Sequence, residues 1–266
     1  MLNPTLTRRV AAAVAAIGAS ALAVGCGSAS SSSSSGTTSS ATSATTAAGS
    51  KATVFAAASL SKVFPKIEPS ATYTFGGSGA LETQIEQGAP ADVFAAASPK
   101  QPAQLLAKGL IGAPTKFATN TLVLIVPQAN PAHIAGVADV TKPGVKLVIC
   151  NATVPCGDYA RNVFKALGIA AAAMKNVVSM TSDVTQVVAE VASGQADAGF
   201  VYVTDAKTAA GKVAVVSLPA KAKPQTSDLI AVVKSGRNQA AASAFVAKLL
   251  SPSGQAALRA AGFGKP

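Results

Sequence analysis

Tryptophan is absent from this chain, histidine occurs once, at His133, and only 11 of the 266 residues are acidic. Each scarcity closes off a kind of chemistry. A lone histidine near Pro131, with no G-x-S-x-G elbow in the chain, leaves Ser59 and Ser78 without the base a secreted serine hydrolase needs, so that reading ranks low. Eleven carboxylates, widely spread, offer few pairs of the glycosidase kind. Acid is also scarce relative to base: 22 Lys and Arg give a formal charge of +11, and setting aside Arg8 and Arg9 leaves +9. The lysines are dispersed and lack interleaved aromatics, which argues against nucleic-acid binding. A field of this sign would draw an anionic solute.

What is present divides at about residue 50. Residues 1–25 have the parts of an export signal: Arg8 and Arg9, an apolar run from Val10 to Val24, then small residues. That run is too short and Ala-rich for a membrane span of about 20 apolar residues. Leu22-Ala23-Val24-Gly25-Cys26 resembles a lipoprotein signal, in which Cys26 becomes the lipid-bearing first residue; the alternative is an ordinary cleaved signal. Gly27 to Ser50 is nearly all Ser, Thr, Ala and Gly, which reads as a flexible tether with a reach of roughly 25–30 Å. An exported protein on the outer face of the cell membrane, periplasmic or on the wall side, is the expected setting.

Cys150 and Cys156 then remain as an even pair in an oxidising compartment. Their spacing matches neither common zinc sites nor C-x-x-C redox motifs, and a structural disulfide is favoured over two free thiols.

From Lys51 onward strand and helix patterns alternate. Strands are expected at Lys51–Ala58, Ala71–Phe75, Val93–Ala97, Leu122–Pro127, Lys146–Cys150, Val177–Met180, Ala198–Thr204 and Leu229–Val233. Helices fall between them, and two more close the chain, at Ala240–Leu250 and Ser253–Ala261. The alternation argues for an α/β fold with crossover helices, whose ligands sit at the carboxyl ends of strands. Ser59, read as a helix cap, and Ser78, in the turn Gly76-Gly77-Ser78-Gly79, both fall at such ends. A Gly-rich turn feeding a helix start is an anion cradle, its glycines letting backbone approach an oxyanion.

The runs VFAAASL (Val54–Leu60), FGGSGALETQIEQGAPADVF (Phe75–Phe94), VPCGDYA (Val154–Ala160), SDV (Ser182–Val184) and GFVYVTDA (Gly199–Ala206) together resemble the molybdate-binding proteins of bacterial ABC importers. The resemblance covers essentially everything from Lys51 to the end. It implies a two-lobed type II periplasmic-binding-protein fold, each lobe a mixed sheet flanked by helices, joined by two hinge crossings. The lobes are expected at 51–120 plus 226–266 and at 121–225.

It also implies a non-enzymatic monomer that captures molybdate, and tungstate, and delivers it to a membrane permease, with no cofactor. Another oxyanion such as sulfate or phosphate on the same fold is the alternative. The implied contacts are the hydroxyls of Ser59 and Ser78, the main-chain N–H groups of Cys156 and Val184, and the hydroxyl of Tyr202; no side chain would ligate molybdenum directly. Gly76-Gly77 and Gly79 stand where that family has a more Ser-rich loop, and Cys156 where it usually has Ala.

Overall fold

The structure is a computed structural model that describes residues 51–266. The expected signal, Cys26 and the tether lie outside the described residues. The order of elements is β1 (Thr53–Ala57), α1 (Phe64–Ile67), β2 (Thr72–Gly76), α2 (Ser78–Glu86), β3 (Val93–Ala96), α3 (Lys100–Ala107) and β4 (Thr115–Pro127). Then come β5 (Leu147–Cys150), α4 (Pro155–Leu167), α5 (Ala170–Lys175), β6 (Val177–Thr181), α6 (Val184–Ala192), β7 (Ala198–Tyr202) and α7 (Val203–Thr208). The chain closes with β8 (Val213–Val216), β9 (Gln225–Val232), α8 (Gln239–Leu250) and α9 (Pro252–Ala261).

The apolar runs explain the strands. In β1 and β3 every residue except Thr53 is buried, and successive side chains go to opposite sides: Val54, Ala56, Val93 and Ala95 into one cluster, Phe55 and Phe94 into another with Leu81, Ile85 and Leu105 of α2 and α3. A strand covered by helices on both faces has no polar side to show, so it reads as a continuous run. The helices carry recognisable ends. α4 has Pro155 in its first turn, where no N–H is needed, and ends at Gly168, whose φ of 69° is left-handed.

Strand order is β2-β1-β3-β9-β4-β7-β5-β6, with β8 also pairing with β4. β1 runs parallel to β2 and β3, and β5 parallel to β6 and β7, while β4 and β9 are antiparallel to their neighbours. This is a two-lobed mixed α/β fold. The first lobe is built on β1, β2 and β3, the second on β5, β6, β7 and β8. Both crossings run through β4 and β9, which pair with each other up to Asn120–Thr226 and Thr121–Gln225. Beyond that point β4 turns its partners over to β7 and β8.

Three sequence-based boundaries need correction. β4 begins seven residues before Leu122: its first half pairs with β9 and buries Phe117 and Ala118, but the Thr, Lys and Asn around them break the apolar run. The strand expected to reach Thr204 stops at Tyr202, where α7 starts; the Tyr202 N–H donates to Asp205 Oδ2 at 3.0 Å and turns the chain. The helix expected between the first two strands is not a single one but a short 3-10 turn, Ala58–Leu60, followed by α1.

Phe164 of α4 and Phe200 of β7 meet edge to face, centroids 5.3 Å apart and both fully buried, at the centre of the second lobe. Phe164→Ala should lower unfolding free energy by about 3–5 kcal/mol, measured by urea denaturation.

Candidate functional site

Six segments meet in a cleft between the lobes: those that follow β1, β2 and β3, and those that follow β5, β6 and β7. Each lies just past the carboxyl end of a strand parallel to its neighbour, the end where open α/β sheets present unpaired backbone. The cleft is narrow, leaving about 10 Å³ in which the centre of a water-sized sphere can move, and among the described residues no Lys, Arg or His lines it. All five residues picked out from the sequence, Ser59, Ser78, Cys156, Val184 and Tyr202, line it together.

The donors are neutral, and several have nothing in the protein to bond. Ser59 Oγ and Tyr202 Oη are buried without a hydrogen-bond partner. Such groups are uncommon, because leaving a buried polar group unmatched costs about 1–3 kcal/mol. Ser78 Oγ accepts the Ala97 N–H at 3.2 Å, which leaves its own proton for another acceptor. Cys156 is the second residue of α4, and its N–H has no carbonyl one turn earlier to meet. At α6 the Asp183 carboxylate takes the Thr185 and Gln186 N–H groups at 2.8 and 3.2 Å, bypassing the N–H of Val184. Asp183 is thus committed to capping although it borders the cleft.

Some roles differ from the expectation. Ser59 caps nothing; it sits inside the 3-10 turn, so the helix starts at the cleft are those of α2, α4 and α6. The turn's glycines approach protein more closely than cleft: a side chain at Gly77 would strike the carbonyl oxygen of Ser182, and one at Gly79 that of Thr153.

Sequence reasoning missed three residues. Arg161 Nη1 donates to the carbonyls of Cys150 and Gly157 at 3.1 and 2.9 Å, bracing the loop that presents Cys156. Its spacing four residues after Gly157 on α4 was the available signal. Asp205 and Asp228 are fully buried, and burial pushes both carboxyls up to about 7. Thr226 Oγ1 donates to Asp228 Oδ1 at 3.0 Å, while Asp228 Oδ2 has no partner. Burial, and then the nearby charge of Asp228, raises the Tyr202 hydroxyl well above its ordinary value, so Tyr202 remains a donor. A proton on Asp228 removes a negative charge from the neighbourhood of that hydroxyl. Nothing in the local sequence distinguishes these two aspartates from surface ones; only the tertiary fold buries them.

The sequence pattern described as bacterial extracellular solute-binding protein matches residues 44–264. The chain belongs to that family. A curated relative from Mycobacterium tuberculosis, named molybdate-binding protein ModA, is 42% identical over 223 residues, covering 80% of this chain and 84% of its own. Among solved structures, the substrate binding domain of a putative molybdenum ABC transporter from Clostridium difficile superposes with a TM-score of 0.60 at 34% identity, over 81% of this chain and 99% of that one. The Azotobacter vinelandii periplasmic molybdate-binding protein superposes with a TM-score of 0.71 at 26% identity, over 81% and 100%. This solute-binding protein therefore works outside the cytoplasm, as its family does.

In the structure Cys150, at the end of β5, is bonded to Cys156 in the first turn of α4, with Sγ atoms 2.03 Å apart. Replacing both cysteines by serine should lower stability by about 2 kcal/mol, the chain-entropy value for so small a loop. The melting temperatures of the purified wild type and double variant test this.

The buried carboxyls set a pH dependence. In the folded protein Asp205 and Asp228 keep their protons up to about 7, whereas in the unfolded chain they lose them near the ordinary value of 3.8. Folding takes up protons in that window, so their contribution is fully present below it and is lost as pH rises toward about 7. Glu68 and Asp139, lowered chiefly by hydrogen bonds from Ser70 and Lys142, act in the opposite sense but only below 4.5 and 3.8. The ligand-free protein should melt higher at about pH 5 than at about pH 8, and Asp228→Asn should shrink that difference. Scanning calorimetry across pH measures it.

Proposed function

We propose that this protein captures molybdate in the cleft between its lobes and hands it to the membrane permease of an ABC importer. The observation that carries this reading is a pair of buried hydroxyls without partners, Ser59 Oγ from the first lobe and Tyr202 Oη from the second, lining one cleft. With Ser78 and the N–H groups of Cys156 and Val184 they make a set of neutral donors. Such a set suits a fully ionised tetrahedral oxyanion, because helix starts and hydroxyls replace its hydration without a countercharge. The names of the relatives support molybdate as the ion. Tungstate has the same chemistry and should bind as well.

The same donors argue against the neighbouring oxyanions. Phosphate near neutral pH carries an O–H that needs an acceptor; the N–H groups of Cys156 and Val184 cannot accept it, and a hydroxyl that does so no longer serves the ion as a donor alone. Sulfate is smaller, and a cavity sized for molybdate stretches its hydrogen bonds. The protein is a binding protein rather than an enzyme, and molybdate is its cargo rather than a cofactor; the metal would be held through its oxygens.

The lobes are drawn at 51–120 plus 226–266 and at 121–225, a division supported by where β4 and β9 change partners. Closure about these two crossings would bring donors from both lobes onto one ion. Cys26 would carry a lipid, and the tether would hold a monomeric receptor near the permease; the intact mass of the membrane-extracted protein tests this.

Tyr202→Phe and Ser59→Ala test the site without disturbing the fold, since each removes a hydroxyl that bonds nothing in the protein. Each should weaken molybdate binding by about 1–3 kcal/mol in isothermal titration while leaving the ligand-free melting temperature equal or higher. Equal affinity of the wild type for phosphate and molybdate would overturn the reading.

A further inference from the structure

Two glycines of the Gly-Gly-Ser-Gly turn have their tightest neighbours in the other lobe. A β-carbon on Gly77 would collide with the carbonyl oxygen of Ser182 and lie 3.0 Å from Cγ2 of Val154. One on Gly79 would collide with the carbonyl oxygen of Thr153 and lie 3.1 Å from its carbonyl carbon. These obstacles are backbone, which cannot swing aside as a long side chain can. Neither glycine needs its conformational freedom: φ at Gly77 is −64°, and Gly79 lies within α2. Alanine would fit the first lobe at both positions and meet trouble only from the second.

A third residue crosses the same gap. Gln101 is 4% exposed; its Oε1 accepts the Ser98 hydroxyl at 2.6 Å, and its Nε2 donates to the Thr153 carbonyl at 3.4 Å. The carbonyl that bars a side chain at Gly79 therefore also takes a hydrogen bond from the first lobe. Thr153 lies in the loop that leads into α4 and Cys156, and Gly77 immediately precedes Ser78. Contact at this seam is coupled to the spacing between donors of the two lobes.

We infer that Gly77, Gly79 and Gln101 form a closure latch, setting how far the lobes shut and hence how tightly the oxyanion is held. Gly79 and Gln101 act without lining the cleft; they are positioning residues. This rests on the reading of the cleft as an oxyanion site. Parting the lobes at this seam would relieve the clash of a methyl group at Gly79, so the substitution would shift the balance from closed toward open while leaving each lobe intact. Hydrogen bonds from the two lobes to one ion then cannot all close to their normal length.

The test compares wild type, Gly79→Ala, Gln101→Ala and their double variant, with Gly112→Ala as a control whose added methyl would meet only a carbonyl oxygen at 3.8 Å. Titration with sodium molybdate gives affinity, small-angle scattering with and without molybdate gives closure, and melting without ligand gives the stability of the lobes. Gly79→Ala should bind about tenfold or more weakly. At saturation it should keep a larger radius of gyration than loaded wild type. Without ligand it should melt at the same temperature or higher, since alanine suits a helix better than glycine. Gln101→Ala should weaken binding less, and the double variant less than additively, because both changes act at one carbonyl. Gly112→Ala should match wild type.

Unaltered affinity and full compaction in Gly79→Ala would overturn the latch. So would a lowered melting temperature of ligand-free Gly79→Ala together with wild-type binding by Gln101→Ala, since the glycine would then be serving its own lobe. If wild type takes up no molybdate, sulfate or phosphate, the functional reading itself fails and the latch falls with it. Wild-type binding matched by Gly79→Ala sinks the latch alone.

Discussion

A hydroxyl buried with no hydrogen-bond partner is a standing penalty, and this fold carries two at the meeting point of its lobes, on Ser59 and Tyr202. Surrounding structure must keep them from turning away to find partners. Ser59 is pinned in a tight 3-10 turn directly after β1. Tyr202 ends β7, where its own N–H is tied to Asp205 and its ring is buried. The Cys150–Cys156 bond and the Arg161 clamp do the same for the second-lobe loop, and the Asp183 cap does so for α6. Parallel strands supply the rigid ends from which all of these project. The rest of the architecture can be understood as support for donors left unsatisfied.

The electrostatics follow the same logic at two ranges. The excess of base is spread over the chain and can attract an anion from a distance. Among the described residues no cation lines the cleft, so on the proposed function discrimination falls to the placement of neutral donors. Two aspartates lie buried in the second-lobe and crossing region, and burial favours their neutral forms. An anion site can tolerate acids in its surroundings when those acids hold protons.

Much of this was legible in the chain, for identifiable reasons. Strands covered on both faces, such as Thr53–Ala57 and Val93–Ala96, are continuous apolar runs bounded by turns, and they stand out. Of the residues lining the cleft, Ser59 and Ser78 were visible at the ends of strand patterns, whereas Cys156, Val184 and Tyr202 came from the resemblance to a known family. The first half of β4 was not, because Phe117 and Ala118 are its only apolar residues from Thr115 to Thr121, and the polar residues around them give no strand-like run. The start of α7 was hidden by Val203, which extends the β-like run past Tyr202. The partners of Gly77 and Gly79, namely Ser182, Val154 and Thr153, lie roughly 70 to 105 positions away, across the gap between lobes. No local pattern reports a contact of that kind.

The two crossings between lobes are neighbours, held side by side by the pairing of Asn120 with Thr226 and Thr121 with Gln225. The hydrogen bonds between them keep the two strands from sliding past one another, so the ribbon bends or twists as one piece. Any change in the angle between the lobes is therefore felt by both crossings at once.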